Sequence, residues 1–284
     1  MEQEGMQQRL WHYTNLEAGF NILFEKKFRM SNVGKTNDPK ESRQWEILPL
    51  LPFAEPVFQK EIEEANNVIR NLIPPIIKNE WKVACFTLDQ DQTSVAKQIA
   101  GPADQIYHDY LDPGYAHPRM WAQYAGNHKG VCICFQREKF ENDLRKRFNG
   151  QYFSGKVDYD KEKFVNVAMF PPFVRSQSTD ILFDIKNLGP KGAAQNYVLN
   201  NIQSFFLRKN PDWASETEFR CLVHDPNNQI EDISIEEYVT EIIVGMDFPR
   251  FFEPSLTALC NKLNIRAQRV EWSNGLPKLV PFIK

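Results

Sequence analysis

The chain has 284 residues, of which 42% are hydrophobic and 25% charged, and its formal net charge is −3. This composition is that of an ordinary folded globule, and it argues against an intrinsically disordered protein. The near balance of charge also argues against a nucleic-acid binder that depends on widespread positive charge, although a local basic cleft is compatible with it. At about 150 residues per domain, the length allows two domains or one large domain.

The sequence gives no sign of a membrane segment or of export. No run of about 18 consecutive apolar residues is present, which predicts no membrane span and no membrane partner. The N-terminal segment lacks the basic start and apolar core of a signal peptide, so we expect a cytoplasmic protein. The five cysteines include no C-x-x-C pair and are expected to be reduced thiols. Among them, Cys132 and Cys134 alternate in a strand-like run and are expected to pack rather than react.

The hydrophobic pattern predicts short strands and helices in irregular alternation. The first part of the chain is expected to contain a strand ending at 11–13, a helix after the N-cap Asn15, an extended run at 28–30, a polar turn segment at 31–39, a helix at 55–78 and a buried strand at 83–88. The middle part has a long polar loop at 89–118, a short helix at 120–125, a strand at 131–135, a charged helix at 136–147 and a strand at 155–159. The last part has helix at 176–208, strands at 218–223 and 242–245, a helix at 251–263 and a strand at 265–270.

Proline and glycine mark the expected breaks in the helices. Pro74-Pro75 is predicted to end the helix at 55–78, and Gly189-Pro190 to interrupt the helical region at 176–208. No internal repeat or domain boundary is visible in the sequence. We therefore expect residues 1–284 to form a single α+β domain with helical insertions near 46–80 and 176–208.

Several common catalytic motifs are absent from the sequence. The segment Val33-Gly34-Lys35-Thr36 has the end of a phosphate-binding loop, but Arg29 occupies the position of the loop's first glycine. There is no H-E-x-x-H, no nucleophile-elbow G-x-S-x-G, and no cysteine or histidine cluster with zinc spacing. The sequence therefore predicts no metal site.

Five segments carry polar and aromatic residues in a specific combined pattern, and through them the chain resembles the prokaryotic family called domain of unknown function 2971. The resemblance runs from about residue 9 to about residue 250. Its segments are His12-Tyr13-Thr14, Asn37-Asp38-Pro39 followed by Glu41, Ala84-Cys85-Phe86-Thr87, Met120-Trp121-Ala122-Gln123-Tyr124-Ala125 with Asn127-His128-Lys129-Gly130-Val131, and Glu216-Thr217-Glu218-Phe219-Arg220. The family name implies no function.

The order of three of these residues is also similar to that in ADP-ribosyltransferases of the diphtheria-toxin and poly(ADP-ribose) polymerase type. His12 corresponds to a histidine on the first strand, Tyr124 to a tyrosine after a later strand, and Glu218 to a glutamate that opens a further strand. The resemblance implies a split, strongly bent β-sheet and NAD as the substrate. The chain departs from the Ser-x-x-x-Tyr spacing of the polymerases because residue 120 is Met, so Tyr13 is an alternative to Tyr124 as the stacking ring.

The chemistry of NAD cleavage is compatible with these residue types. Breaking the nicotinamide–ribose bond creates positive charge on the ribose, which a carboxylate such as Glu218 stabilises. The face of Tyr124 can hold the flat nicotinamide ring, and His12 can donate a hydrogen bond to a ribose hydroxyl while its backbone binds the carboxamide. In the resembling transferases a Glu-x-Glu pair implies that the first carboxylate orients the acceptor, and Glu216 has that position. We further expect Tyr13, Thr14, Asn37 and Asp38 to contribute to NAD binding.

The function expected from the sequence is transfer of ADP-ribose from NAD to a macromolecule. The acceptor is an unknown protein or nucleic acid, and an inhibitory partner protein is possible; analogy suggests a toxin or an anti-phage effector. Two alternatives stay open: NAD glycohydrolase activity with water as acceptor, and a non-catalytic binding module or antitoxin of the same fold. The transferase hypothesis requires His12, Tyr124 and Glu218 to line one cleft that Asn37-Asp38-Pro39 borders.

Overall fold

The computed structural model describes residues 9–43, 59–89, 113–163, 178–230 and 232–282. Within these ranges the protein is a mixed α+β structure, as the sequence predicts. Its strands are β1 (Arg9–Thr14), β2 (Lys27–Phe28), β3 (Ser31–Asn32), β4 (Trp81–Leu88), β5 (Val131–Gln136), β6 (Tyr152–Lys156), β7 (Glu218–His224), β8 (Ile233–Ser234), β9 (Val239–Val244), β10 (Arg266–Ser273) and β11 (Leu276–Pro281).

The helices lie before and between these strands. They are α1 (Leu16–Glu25), α2 (Pro39–Ser42), α3 (Gln59–Asn67), α4 (Ile73–Asn79), α5 (Pro118–Gln123), α6 (Arg137–Arg147), α7 (Ser178–Asn200), α8 (Ile202–Phe206) and α9 (Glu253–Leu263), with a π-helical turn at Val68–Leu72 and 3₁₀ turns at Val33–Lys35, Pro211–Glu216 and Arg250–Phe252. Asn15 caps α1 as expected, because its side chain accepts a hydrogen bond of 2.9 Å from the backbone N–H of Ala18.

One nine-stranded sheet organises the described residues. Its order is β11-β10-β9-β5-β1-β4-β7-β6, with β3 also paired to β4, and β2 and β8 form a separate two-stranded ribbon. The pair β9–β10 is parallel and the other pairs are antiparallel. The sheet is therefore mixed, and the finer expectation of a transferase-type split sheet stays a proposal.

The pairing between β1 and β4 is short. Only two residue pairs join them, Leu10 with Leu88 and Trp11 with Thr87. Further along the same edge of β4, β3 takes over, pairing Ser31 with Val83. Both β1 and β3 lie on the edge opposite β7, since β7 pairs with β4 along its whole length. The middle of β4, residues 84–86, therefore has no strand partner on this edge, and the gap gives room for a cavity.

Apolar side chains cover both faces of the sheet. Along β4, Ala84, Phe86 and Leu88 belong to one buried cluster, and Trp81 and Val83 belong to another, because successive strand residues point to opposite faces. The first cluster includes residues of α1, α6 and α9, and the second includes residues of α3, α4, α7 and α8. A third cluster surrounds Trp11, Tyr13 and Trp121.

The helices near the predicted insertions are present in the described residues. Residues 46–58 of the first insertion and 90–112 of the predicted long loop lie outside the described ranges, as do 176–177 of the second insertion. In α7, Gly189 has a non-helical backbone with φ of 72°, which confirms the break predicted at Gly189-Pro190.

Three expected boundaries are wrong. Pro74-Pro75 does not end a helix; the two prolines lie in the first turn of α4, where a missing backbone N–H costs no helical hydrogen bond. The strand predicted at 155–159 instead covers Tyr152–Lys156. The strand predicted at 265–270 extends to Ser273 and turns at Gly275 into β11, which the pattern did not predict because its residues alternate weakly.

Candidate functional site

A cavity of about 210 Å³ lies where β1 separates from β4. Residues His12, Tyr13, Asn37, Asp38, Tyr124, Glu216 and Glu218 all line it, so these seven predicted site residues share one site. Thr14 is the exception, since it is not among the lining residues and is nearly buried beside Gly19 of α1. The rest of the wall includes apolar side chains from β2, β4 and α5, among them Phe28, Phe86 and Met120.

His12 bridges the gap between the two strands. Its Nδ1 donates a hydrogen bond of 3.0 Å to the carbonyl oxygen of Cys85, and its ring contacts Phe28 and Phe86 edge-on at centroid distances of 4.9 and 5.9 Å. Burial lowers the pKa of His12, although the Cys85 carbonyl opposes this shift. The ring is therefore neutral at pH 7. Because a carbonyl can only accept, Nδ1 carries the proton and Nε2 is left as an acceptor.

Glu218 lies in a buried network of charges rather than on the surface. Its side chain is 5% exposed, and Arg220 donates to it twice, from Nε to Oε1 at 2.7 Å and from Nη2 to Oε2 at 3.1 Å. The Lys209 ammonium adds a third bond to Oε2 at 3.1 Å. Burial alone would raise the pKa of Glu218, but Arg220 and Lys209 outweigh it and lower the pKa to about 2. Glu218 is therefore ionised at neutral pH.

The ion pair between Glu218 and Arg220 therefore lies inside the protein and not at its surface. Arg220 is 1% exposed, and its Nη1 also donates to Glu41 and, at 2.7 Å, to the carbonyl oxygen of Phe206. Strand alternation does place Arg220 on the same side as Glu218, as predicted. Helix α8 and the α2 turn then cover that side, and this long-range packing is not visible in the local sequence.

Glu216 and Tyr124 form the second arm of the same network. The hydroxyl of Tyr124 donates to Oε1 of Glu216 at 2.8 Å, and Lys209 donates to Oε2 at 2.6 Å. Glu216 is 2% exposed, so both of its oxygens are engaged inside the protein. Each oxygen of Glu216 thus already accepts one hydrogen bond, which leaves fewer lone pairs for an acceptor. The ring of Tyr124, at the C-terminal end of α5, remains half-buried.

Tyr13 has a different environment from Tyr124. Its hydroxyl donates to the carbonyl oxygen of Gly114 at 2.8 Å, and its ring packs edge-on against Trp121 at 5.2 Å. Burial raises the pKa of Tyr13. Because its ring is already packed on the core and its hydroxyl is paired, Tyr13 is the less suitable stacking residue of the two.

The side chains of Glu218 and His12 start from opposite faces of the sheet. Trp11 pairs with Thr87, and Thr87 pairs with Glu218, so these three side chains start from one face. By alternation His12 starts from the other face. The two residues nevertheless line one cavity, because the gap beside β4 connects the two faces at that point.

Sequence analysis assigned no role to three residues that the structure brings into this wall, Glu41, Lys209 and Arg220. Glu41 and Arg220 belong to the segments that resemble the DUF2971 family, but the resemblance assigns no chemistry to either residue. Lys209 precedes Asn210-Pro211 and has the pattern of a solvated turn lysine, yet it is 5% exposed and stacks over Trp213 at 4.7 Å. Lys35 also lines the cavity and forms no ion pair within the described residues.

Within the described ranges, no helix has both the length and the apolar character needed to cross a membrane. The five cysteines are all free thiols, and Cys132 and Cys134 are buried in β5 as expected. Burial raises the pKa of Cys134 to about 12, which leaves the thiol protonated and supports a packing role.

Comparison with known proteins gives one match. Residues 120–221 match a family described as Protein of unknown function (DUF2971). Neither the curated proteins nor the solved structures gave a match. The matched segment contains Tyr124, Lys209, Glu216, Glu218 and Arg220, whereas His12, Asp38 and Glu41 lie outside it. Over this segment the chain is therefore similar to the DUF2971 family, as the sequence predicted.

Proposed function

We propose that the protein cleaves NAD in the cavity between β1 and β4 and transfers ADP-ribose to a macromolecule. The observation that carries this proposal is that His12, Tyr124 and Glu218, which are far apart in the sequence, line one cavity. Scattered residues of a domain this size have no local reason to meet. The proposal makes the protein an ADP-ribosyltransferase, with the resembling family as its analogy.

Each of the three residues has chemistry that fits a step of this reaction. The bond between ribose C1′ and the nicotinamide nitrogen breaks, and its electron pair neutralises the positive ring. Ionised Glu218 stabilises the charge that develops on the ribose. The half-buried face of Tyr124 holds the nicotinamide ring, and Nε2 of His12 accepts a hydrogen bond from a ribose hydroxyl. The acceptor atom then bonds to C1′ and loses its proton.

The remaining part of NAD also finds complementary groups. Its diphosphate is anionic, and Lys35 is a lining cation with no ion pair in the described residues. By contrast, Arg29 is bound to Asp232, and both Lys209 and Arg220 are bound to glutamates. Lys35 is therefore the lining cation that a phosphate can bind without breaking a described ion pair.

One observation favours hydrolysis as a second candidate. Both oxygens of Glu216, the residue expected to orient a macromolecular acceptor, are occupied by Tyr124 and Lys209. Glu216 therefore has fewer free lone pairs with which to orient a protein side chain, whereas attack by water does not require Glu216. An NAD glycohydrolase would leave this network intact.

A non-catalytic binding module is the third candidate, and the engaged state of Glu218 favours it. Arg220 and Lys209 occupy both of its oxygens, so part of its charge is already neutralised before a ligand arrives. A ribose hydroxyl would meet a carboxylate whose charge is already shared with two buried cations. Such a protein would bind NAD and leave it unchanged.

Incubation of the purified full-length protein with NAD, followed by chromatography of nicotinamide, separates enzyme from binding module. Nicotinamide release above the rate in buffer supports cleavage, and none at saturating NAD contradicts it. NAD labelled in the adenosine half, incubated with the protein and a cell lysate, then separates transfer from hydrolysis. Label retained on macromolecules supports transfer, and label recovered as free ADP-ribose alone supports hydrolysis. Growth arrest on expression would support the proposed role as a toxin or anti-phage effector.

A further inference from the structure

Four residues that line the cavity have a buried side-chain oxygen without any hydrogen-bond partner. The oxygens are Thr36 Oγ1, Asp38 Oδ2, Glu41 Oε2 and Thr87 Oγ1. Buried polar atoms in proteins are normally paired, and an unpaired one calls for an explanation such as a missing ligand. Four of them around one cavity indicate a ligand that supplies hydrogen-bond donors.

The two carboxylates among them belong to the short helix α2. Asp38 is its N-cap, and Oδ1 accepts a hydrogen bond of 2.9 Å from the backbone N–H of Lys40, which leaves Oδ2 unused. Glu41, three residues later, is 0% exposed and turns its Oε1 to Arg220, which leaves Oε2 unused. A glutamate at this position often bonds back to the N-cap N–H. Here it instead joins the network that holds Glu218.

The surrounding charges favour a neutral donor over a cationic one. Glu41 is already paired with Arg220, and the Lys40 ammonium lies beside it, donating to the carbonyl oxygen of Arg208 at 2.6 Å. An amine or guanidinium ligand would approach the buried Arg220 guanidinium and the partly buried Lys40 ammonium and be repelled. A pair of hydroxyl groups can donate to the free oxygens without that cost. A carboxylate also accepts such bonds more strongly than a neutral oxygen.

The geometry points to a ribose as the group that α2 recognises: we propose that Asp38 Oδ2 and Glu41 Oε2 accept hydrogen bonds from the 2′- and 3′-hydroxyls of a ribonucleoside. This inference rests on the proposed function and deepens it, because it names the part of NAD that this side of the cavity binds.

Calorimetric titration of the full-length protein with simple ribonucleosides tests the inference. The probes are adenosine and nicotinamide riboside, each beside its 2′,3′-dideoxy counterpart, with agmatine as a cationic donor. We expect at least one riboside to bind about tenfold or more tightly than its dideoxy counterpart. Equal affinities within both pairs, no measurable riboside binding, or tighter binding of agmatine would each overturn the inference.

Two variants assign the preference to α2. Asp38→Asn keeps an N-cap of equal quality and presents an amide N–H₂ where Oδ2 stood, so the fold should persist. Glu41→Gln likewise keeps an oxygen for Arg220. Either change should abolish the preference for the riboside over its dideoxy form. The matched control is Asn15→Asp, the same exchange in reverse at the N-cap of α1, outside the cavity. A preference that persists in Asp38→Asn, with the variant folded, contradicts the inference.

The same titrations distinguish this inference from the proposed function. If the protein binds a riboside more tightly than its dideoxy form but does not cleave NAD, the ribose site on α2 is supported and the proposed reaction is contradicted. If nicotinamide is released but the variants keep the wild-type preference for riboside over dideoxyriboside, the proposed reaction is supported and the ribose site on α2 is contradicted.

Discussion

His12 donates its Nδ1 proton to the carbonyl oxygen of Cys85, across the gap where β1 and β4 are no longer paired. This bond gives the carbonyl oxygen of Cys85, on the unpaired edge of β4, a partner that no neighbouring strand supplies. It also fixes the imidazole as the tautomer with a free Nε2. The histidine thus holds the two strands together at the gap and offers an acceptor to a ligand, and these roles can be separated by mutation.

Replacement of His12 by Asn separates the two roles. The amide nitrogen of Asn can take the place of Nδ1 at Cys85, whereas nothing replaces Nε2. We expect His12→Asn to fold and to bind NAD about tenfold or more weakly, since a buried hydrogen bond is lost. His12→Ala should also lose about 1–3 kcal/mol of unfolding free energy, because the Cys85 carbonyl and the contacts with Phe28 are left without a partner. Calorimetry and denaturant unfolding measure the two effects, and unchanged NAD affinity in folded His12→Asn would remove His12 from the site.

His12 also predicts a pH dependence of stability. Its pKa is lowered in the folded protein, so the unfolded chain takes up a proton more readily. The contribution of the neutral ring is therefore fully present above about pH 6.5, the ordinary value, and is lost as the pH falls toward the lowered folded value. The difference in unfolding free energy between wild type and His12→Asn should shrink over that interval. A difference that stays constant between pH 7.5 and 5 would show that the ring does not titrate with folding.

Glu218→Gln tests the proposed catalytic carboxylate, whose burial determines the effect of the change on stability. A glutamate at the start of a strand is ordinarily exposed, and its exchange for Gln would then leave folding intact. In the structure the change removes an ionised acceptor from Arg220 and Lys209, which keep Glu41 and Glu216 as partners, and weakening these buried hydrogen bonds should cost about 1–3 kcal/mol. We expect both a lower melting temperature and a fall in nicotinamide release by about 10²–10³.

The control for this variant is a carboxylate of equal burial outside the cavity. Glu141 is 6% exposed and accepts hydrogen bonds from Arg137, Arg145 and Ser154, yet it does not line the cavity. Glu141→Gln should therefore lose stability and keep its rate of NAD cleavage at temperatures where it is folded. If Glu218→Gln also cleaves NAD at the wild-type rate, Glu218 is a structural residue.

Lys209 helps to lower the pKa of Glu218, the carboxylate that the proposed reaction needs. Its ammonium is one of the two charges that lower the pKa of Glu218 to about 2, so Lys209→Met should raise that pKa. Cleavage requires the ionised form, and the variant should accordingly lose activity at a higher pH than the wild type does on acidification. The pH profile of nicotinamide release measures the shift. Lys139→Met, which removes a surface partner of Glu237, should leave the profile unchanged.

The features that the sequence predicts correctly are those that a local pattern determines. The Asn15 cap, the buried strand around Cys85 and the break at Gly189 each depend on neighbouring residues. The network around Glu218 does not, since Arg220 and Glu41 are 179 positions apart and meet only when α2 packs over β7. Burial of a charged strand residue depends on which distant helix covers it, and this decides whether a Glu–Arg pair is a surface pair or part of a core.

The last prediction concerns which tyrosine holds the nicotinamide ring. Tyr124→Phe keeps the ring and loses only the bond to Glu216, so NAD affinity should stay within a few-fold of wild type. Tyr124→Ala removes the ring as well, and the loss of stacking worth about 0.5–1.5 kcal/mol should weaken binding roughly 2- to 12-fold further. Tyr13→Phe provides the contrast, because the loss of its bond to the Gly114 carbonyl should lower stability by about 1 kcal/mol without changing affinity. Titration with NAD and with nicotinamide alone measures all three. If Tyr124→Ala binds both probes as tightly as Tyr124→Phe does, the ring of Tyr124 does not contact the ligand and the stacking role passes to another residue of the wall.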